Sequence, residues 1–184
     1  MIDYLILVDE EDRPQGKLEK LFVHQQGLLH RAFSVYIFNN KGELLLQQRA
    51  DEKYHSAGLW TNTCCSHPRF GEEITDAIDR RLMEEMGMRC ITRFAFNFIY
   101  KATFDNGLTE HEFDHVYVGI SNEYPTPEEA EVKNWKYISL QNLQEDILQN
   151  PNTYTEWLKI SLPNVITFFN NQLNPVIQTE QAFT

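Results

Sequence analysis

Apolar positions along this chain recur with two periods, and the period sorts its segments into strands and helices. Residues 4–8, Tyr-Leu-Ile-Leu-Val, predict a first strand that ends in the turn-rich stretch 9–16. Residues 17–29 carry Lys20 and His24 ahead of a break at Gly27. The aromatic and β-branched run 30–38 predicts a second strand, and Asn-Asn-Lys-Gly at 39–42 turns it into 43–49 as a hairpin. A polar connection over 49–60 then delivers two cations, Arg49 and Lys53, into a loop that begins at Trp60. Beyond Pro68 and Gly71, Ala77, Ile78, Leu82 and Met86 recur at helical spacing and Gly87 stands where a helix stops, so the pattern predicts a helix over 72–86. Glu85 follows Leu82 by three residues and Ile78 by seven, which turns its carboxylate toward the buried stripe. A carboxylate placed there needs a cation.

The second half repeats the contrast. Residues 90–104 and 111–121, rich in Phe, Tyr, Val and Ile around Asp-Asn-Gly at 105–107, predict paired strands. An acidic, proline-broken linker covers 122–131, a short strand 135–138, and Ser139 caps a helix over 140–148. Helical periodicity returns over 154–169 with an interruption at Pro163, and 174–184 read as a polar tail. No repeat, low-complexity segment or second boundary breaks the chain, so 1–184 is expected to form one domain.

Charge narrows the partners. Sixteen Lys and Arg against 27 Asp and Glu leave a net charge of −11, which disfavours nucleic acid or an anionic membrane surface, so basic residues must act locally. The apolar run 4–8 is too short for a signal peptide and nothing later is long enough to span a membrane. Three cysteines, two of them adjacent, make no disulfide framework; reduced thiols and a cytoplasmic location are expected.

Five residues stand out as metal ligands: His24, His30, His67, Glu110 and Glu112. Residues two apart in a strand share a face, so Glu110 and Glu112 converge while His111 points away. Three imidazoles and two carboxylates form a mixed nitrogen and oxygen set suited to Zn²⁺, Mn²⁺ or Mg²⁺. A structural zinc site at Cys64, Cys65 and His67 is the rival, but adjacent cysteines lack the spacing that turns two thiolates toward one ion.

The loop and helix up to Gly87, with Glu72, Arg80, Glu84 and Glu85, resemble the Nudix box, with Ser66 where the box opens with Gly and Arg81 where it has a metal-site Glu. The second departure argues against pyrophosphate cleavage; the bland alternative is an acidic helix on a solvated surface. Leu-His-Arg-Ala-Phe-Ser at 29–34, Thr-Asn-Thr-Cys-Cys-Ser-His-Pro at 61–68 and Glu-His-Glu at 110–112 together resemble type 1 isopentenyl-diphosphate isomerases, a Nudix-fold family. That resemblance covers about residues 18–157. It implies an α/β Nudix fold, a mixed sheet sandwiched between helices, and conversion of isopentenyl to dimethylallyl diphosphate. It makes Cys65 the catalytic thiol and Glu112 the catalytic carboxylate, with the Tyr100 hydroxyl assisting. His24, His30, His67, Glu110 and Glu112 match the ligands of one divalent metal, and Glu85 supports Mg²⁺ on the substrate diphosphate. Lys20, Arg49 and Lys53 match diphosphate-binding positions, and Trp157 an aromatic wall near the alkene.

Moving a double bond by one carbon needs two proton-transfer groups on opposite sides of a flat substrate; Glu112 carrying a proton and a Cys65 thiolate receiving one meet that need. The implied partner is a small prenyl diphosphate, with the protein a monomer or homodimer. A Nudix hydrolase of a nucleoside or prenyl diphosphate, and a non-catalytic binding module, are the rivals. Cys64 and Cys90 are expected to be buried apolar residues, and His55 and His115 to lie at the pocket rim or surface.

Overall fold

The run 30–38 becomes the centre of the molecule because both of its faces are covered. In the computed structural model, which describes residues 3–53 and 55–181, this run is strand β3 (His30–Phe38), buried almost end to end. Successive side chains enter opposite layers. Phe33, Val35 and Ile37 pack against Ile78, Leu82 and Met86 of helix α2 (Ile74–Met86), whereas Tyr36 and Phe38 join Leu158, Leu162 and Val165 of helix α4 (Glu156–Phe168). The result is the expected mixed sheet between helices.

One edge of β3 is taken along its whole length by strand β8 (Thr109–Ile120), parallel, from His30 opposite Glu112 to Phe38 opposite Ile120; strand β7 (Thr92–Thr103) pairs antiparallel on the far side of β8. The other edge is divided among three partners. Strand β1 (Tyr4–Val8), hairpinned to β2 (Pro14–Glu19), reaches His30; strand β6 (Cys64–Ser66) takes Phe33, Ser34 and Val35; strand β4 (Glu43–Arg49) meets only Phe38, through Leu44. Past that rung β4 turns to strands β5 (Trp60–Thr61) and β9 (Val132–Ser139). The hairpin therefore forks, and residues 60–66 fill the fork.

Side chains replace the missing ladder. The Thr63 hydroxyl accepts from Ile37 N on one arm at 2.9 Å and donates to Leu45 O on the other at 2.7 Å. Asn62 donates to Val35 O at 3.2 Å and to Cys64 O at 2.8 Å, and Gln47 donates to Thr63 O at 2.9 Å. Every one of these groups is buried, so each backbone partner would otherwise be left dry and unpaired.

The helix ends follow local chemistry. Gly87 adopts φ +60° at the end of α2, and a Cβ there would lie 2.1 Å from Thr126 O, because the 122–131 segment folds back so that Thr126 N and Glu128 N donate to Met86 O and Glu85 O. Ser139 caps helix α3 (Leu140–Gln149) by accepting from Asn142 N at 3.2 Å. Three expectations need correction. Strand β2 starts at Pro14, inside the stretch read as turn, and shows no apolar period because it is exposed throughout. Pro163 does not interrupt α4: it lies inside the helix at an exposed position. The polar tail is a helix, α5 (Asn174–Gln181), entered through a π-helical turn at Phe169–Leu173. Val165, Phe169, Leu173 and Ile177 all join one core at a spacing of four. Four overshoots the α-helical turn of 3.6 residues, and the wider π-turn absorbs the drift. Residues 182–184 of that stretch lie outside the described residues.

Replacing Thr63 by Val keeps its shape and removes both fork hydrogen bonds. Thr63→Val is expected to cost about 2–4 kcal/mol, since two buried backbone groups lose their partners, and to lower Tm by roughly 5–15 °C in a chain of this size. Thermal unfolding checks it; an unchanged Tm would mean that the fork is held without this side chain.

Candidate active site

The parity that splits the core also builds the site. His30 lies on the Tyr36 side of β3; the parallel register sets Glu112 beside it, and the β7–β8 register sets Tyr100 on the far side of Glu112. Glu110 and Asp114 share that face by alternation, while His111 turns away and its Nδ1 donates to Gly27 O at 3.0 Å. Cys65, opposite Ser34, faces the same way, and Cys64, opposite Val35, is buried against α2. Alternation thus separates the two neighbouring thiols: Cys65 lines the cleft and Cys64 packs the core. Helix α1 (Lys20–Gln26) adds Lys20 and His24, four residues apart on one face, and the turn after β6 adds His67.

Imidazole and carboxylate atoms converge. Ligand atoms of His24, His30, His67 and Glu110 all lie within 4.8 Å of one another. His30 Nε2 is 3.2 Å from His67 Nε2 and 3.6 Å from Glu112 Oε1, and His67 Nε2 is 3.0 Å from the same oxygen. His24 Nε2 is 3.3 Å from Glu110 Oε2. The other nitrogen of His30, Nδ1, donates to Leu28 O at 2.9 Å, which leaves the neutral ring a lone pair on Nε2 aimed at the cluster. Glu110 Oε2 is buried without a hydrogen-bond partner. Inward lone pairs and an orphaned carboxylate oxygen fit a divalent cation, and this cluster could hold one.

Burial and like charge set the protonation states. Burial by itself would raise Glu110, but the His24 and His55 imidazoles beside it hold its carboxyl well below the usual range. Burial, then the Glu110 charge, raises Glu112. Two carboxylates this close cannot ionise independently. Burial raises the Tyr100 phenol, which stays protonated and donates to Glu112 Oε2 at 2.8 Å. Burial pushes the Cys65 thiol up to about 12 against the opposing Arg49 charge. The resting group is therefore the thiol and not the thiolate expected of an acceptor. Asp114, which the sequence did not single out, lies behind Glu112, accepts from Ser34 Oγ at 2.7 Å and is raised by burial and by Glu112.

Cations line the same cleft. Lys20, Arg49, Lys53 and Arg81 line the cleft with Trp157. Arg49 Nε and Arg81 Nε are buried donors without hydrogen-bond partners, and the Arg49 guanidinium stands 5.4 Å over the Trp157 ring. Trp157, 4% exposed, is anchored by its Nε1, which donates to Asn62 Oδ1 at 3.2 Å. Glu85 does not join the His/Glu cluster: its oxygens accept from Gln47 Nε2 at 2.8 Å and from Arg81 Nη2. The cation that its buried position requires is Arg81, so the replacement of the box's Glu has structural content. Lys53 pairs with Glu131.

His55 overturns the expectation that placed it at the rim. It is 9% exposed, and its Nε2 lies 2.9 Å from Glu110 Oε1. Its sequence neighbours give no period that could have revealed this. His115 is nearer to expectation, half-buried beside Asp12 Oδ2 at 3.0 Å, outside the cleft.

A Nudix domain family model matches residues 28–158. An isopentenyl-diphosphate Delta-isomerase 2 of Aromatoleum aromaticum is 48% identical over 91% of this chain and 88% of its own length, and an isopentenyl-diphosphate Delta-isomerase of Serratia proteamaculans is 50% identical over 85% and 88%. Among solved structures, DR0079 from Deinococcus radiodurans superposes with a TM-score of 0.71 over 86% of this chain and 96% of that one, and a MutT protein from Methanosarcina mazei with 0.62 over 79% and 96%. At 16% and 17% identity these two bear on the fold alone. With its Nudix domain and near-half identity over most of its length, the chain belongs to the isopentenyl-diphosphate Delta-isomerase family.

Proposed function

We propose that this protein interconverts isopentenyl and dimethylallyl diphosphate through a tertiary carbocation. The observation that carries the reading is that Cys65 and Glu112 enter one cleft from strands on opposite sides of β3, between a cationic wall and a buried indole. The reaction adds one proton to the terminal alkene carbon and removes one from the carbon beyond the cationic centre, so composition is unchanged. Cys65 and Glu112 are the two proton-transfer groups, and Tyr100 holds Glu112 in place by its hydrogen bond. Lys20, Arg49, Lys53 and Arg81 bind the diphosphate and fix the alkene between those groups. The Trp157 face stabilises positive charge and keeps out water that would trap the cation.

His24, His30, His67, Glu110 and Glu112 would hold one divalent ion, Mn²⁺, Zn²⁺ or Mg²⁺, which supplies positive charge to the two carboxylates. Mg²⁺ arriving with the diphosphate would meet Glu85 only by displacing Arg81 or Gln47. The pairing of Arg81 with Glu85 weighs against a hydrolase, which needs that carboxylate free. Three free cysteines and a chain in which no described helix is long and apolar enough to cross a membrane agree with a cytoplasmic setting.

Turnover in D₂O with Mg²⁺ discriminates the alternatives. Deuterium in the dimethylallyl product is expected; released phosphate instead would identify a hydrolase, and unreacted substrate a binding module. Cys65→Ala and Glu112→Gln are each expected to lower kcat by about 10²–10⁴, the usual share of a proton-transfer group. Cys64→Ala changes it little. A dead Cys64→Ala beside an active Cys65→Ala would move the thiol role by one residue.

Metal content gives an independent check. His67→Asn removes a ligand atom, so the purified variant is expected to hold far less divalent metal than the unmutated protein by elemental analysis. Equal occupancy in both would take His67 out of the ligand set.

A further inference from the structure

Glu110 divides its two oxygens between different tasks. Oε2 faces His24 and His30, at 3.3 and 3.7 Å, while Oε1 meets His55 Nε2 at 2.9 Å. Ligand atoms of His24, His30, His67 and Glu110 lie within 4.8 Å of one another, and His55 is not part of that group. Its ring is held for a different purpose. It stacks on Phe104 with centroids 5.0 Å apart and planes 12° apart, and meets the Trp157 ring edge-on at 6.0 Å. Its Nδ1 lies 3.4 Å from the Ser56 hydroxyl, whose proton it can accept. That leaves the proton of the neutral ring on Nε2, pointing at Glu110.

The backbone adds a second connection. His55 belongs to the 49–59 loop that also carries Arg49 and Lys53, and Arg49 Nη2 donates to the His55 carbonyl at 3.2 Å. The loop closes on itself, with Gly58 N donating to Arg49 O and Arg49 N to Leu59 O. A single short segment thus touches the carboxylate of the His/Glu cluster and carries two of the cations that line the cleft.

We propose that His55 is a positioning residue for the metal centre: it donates to Glu110 Oε1, so that Oε2 is presented to the ion, and ties the loop bearing Arg49 and Lys53 to that centre. It acts from outside the ligand set, like the carboxylates and carbonyls that orient ligands from the second rank in other metal sites. The proposal rests on a divalent ion occupying the cluster.

Two substitutions separate donation from packing. His55→Gln keeps an N–H of similar reach and loses the ring; His55→Phe keeps the stack on Phe104 and loses the donor. With Zn²⁺ alone as probe, in competition with a chromophoric chelator, His55→Phe is expected to bind about 10–100-fold more weakly and His55→Gln close to the unmutated protein. In turnover, kcat of His55→Phe should recover at saturating metal while KM for isopentenyl diphosphate stays raised, since the loop is no longer tied. The reverse order of affinities, Phe intact and Gln weakened, would make His55 a packing residue and overturn the proposal. X-ray absorption on the unmutated Zn²⁺ form gives a test that needs no variant. Three imidazoles at about 2.0–2.1 Å are expected, whereas four would make His55 a ligand and refute its outer role. Unmutated protein that binds no Zn²⁺ would remove the metal reading itself, a failure distinguishable from two variants that both bind as the parent does.

Discussion

The site depends on the fork between β3 and β4. The two strands leave their turn together, share one rung at Phe38 and Leu44, and part. Parting exposes two rows of backbone donors and acceptors inside the protein, which is tolerable only if something polar fills the gap. Residues 60–66 do so with two short strands and with the side chains of Asn62 and Thr63. The same insertion brings Cys65 to the cleft and gives Trp157 its anchor at Asn62. Repair of the fork and placement of Cys65 in the cleft are one event.

Around the fork, charges of both signs meet. Carboxylates and imidazoles gather where β3 and β8 begin, and lysines and arginines line the same cleft, within a chain of net charge −11. Each half is incomplete alone: two buried carboxylates beside each other repel, and arginine donors lack acceptors. A divalent cation at one end and a diphosphate at the other would satisfy both. Arg81 shows how close the balance is, since it neutralises Glu85 and faces the anion side as well.

The 49–59 loop joins these halves. It contributes Arg49 and Lys53 to the cationic wall and His55 to Glu110, so the position of one segment bears on both ligands. Thermodynamic linkage then requires that any help the metal gives to diphosphate binding is returned in equal measure.

Sequence alone determined whatever depends on neighbours a few residues apart. Aromatic and β-branched content assigned His30–Phe38 to a strand, and alternation set Glu110 beside Glu112; helical period and Gly87 located α2; and the resemblance of residues 61–68 singled out Cys65 and His67. Only the tertiary structure decided what depends on register between distant strands. His55 and Arg81 line the cleft because a loop and a helix converge there, and nothing in the residues around His55 marks it for burial. The segment 174–181 is a helix because a π-turn re-phases it onto a core that the chain cannot describe locally. Local pattern reports which face a side chain takes; what lies opposite that face is set by packing across the fold.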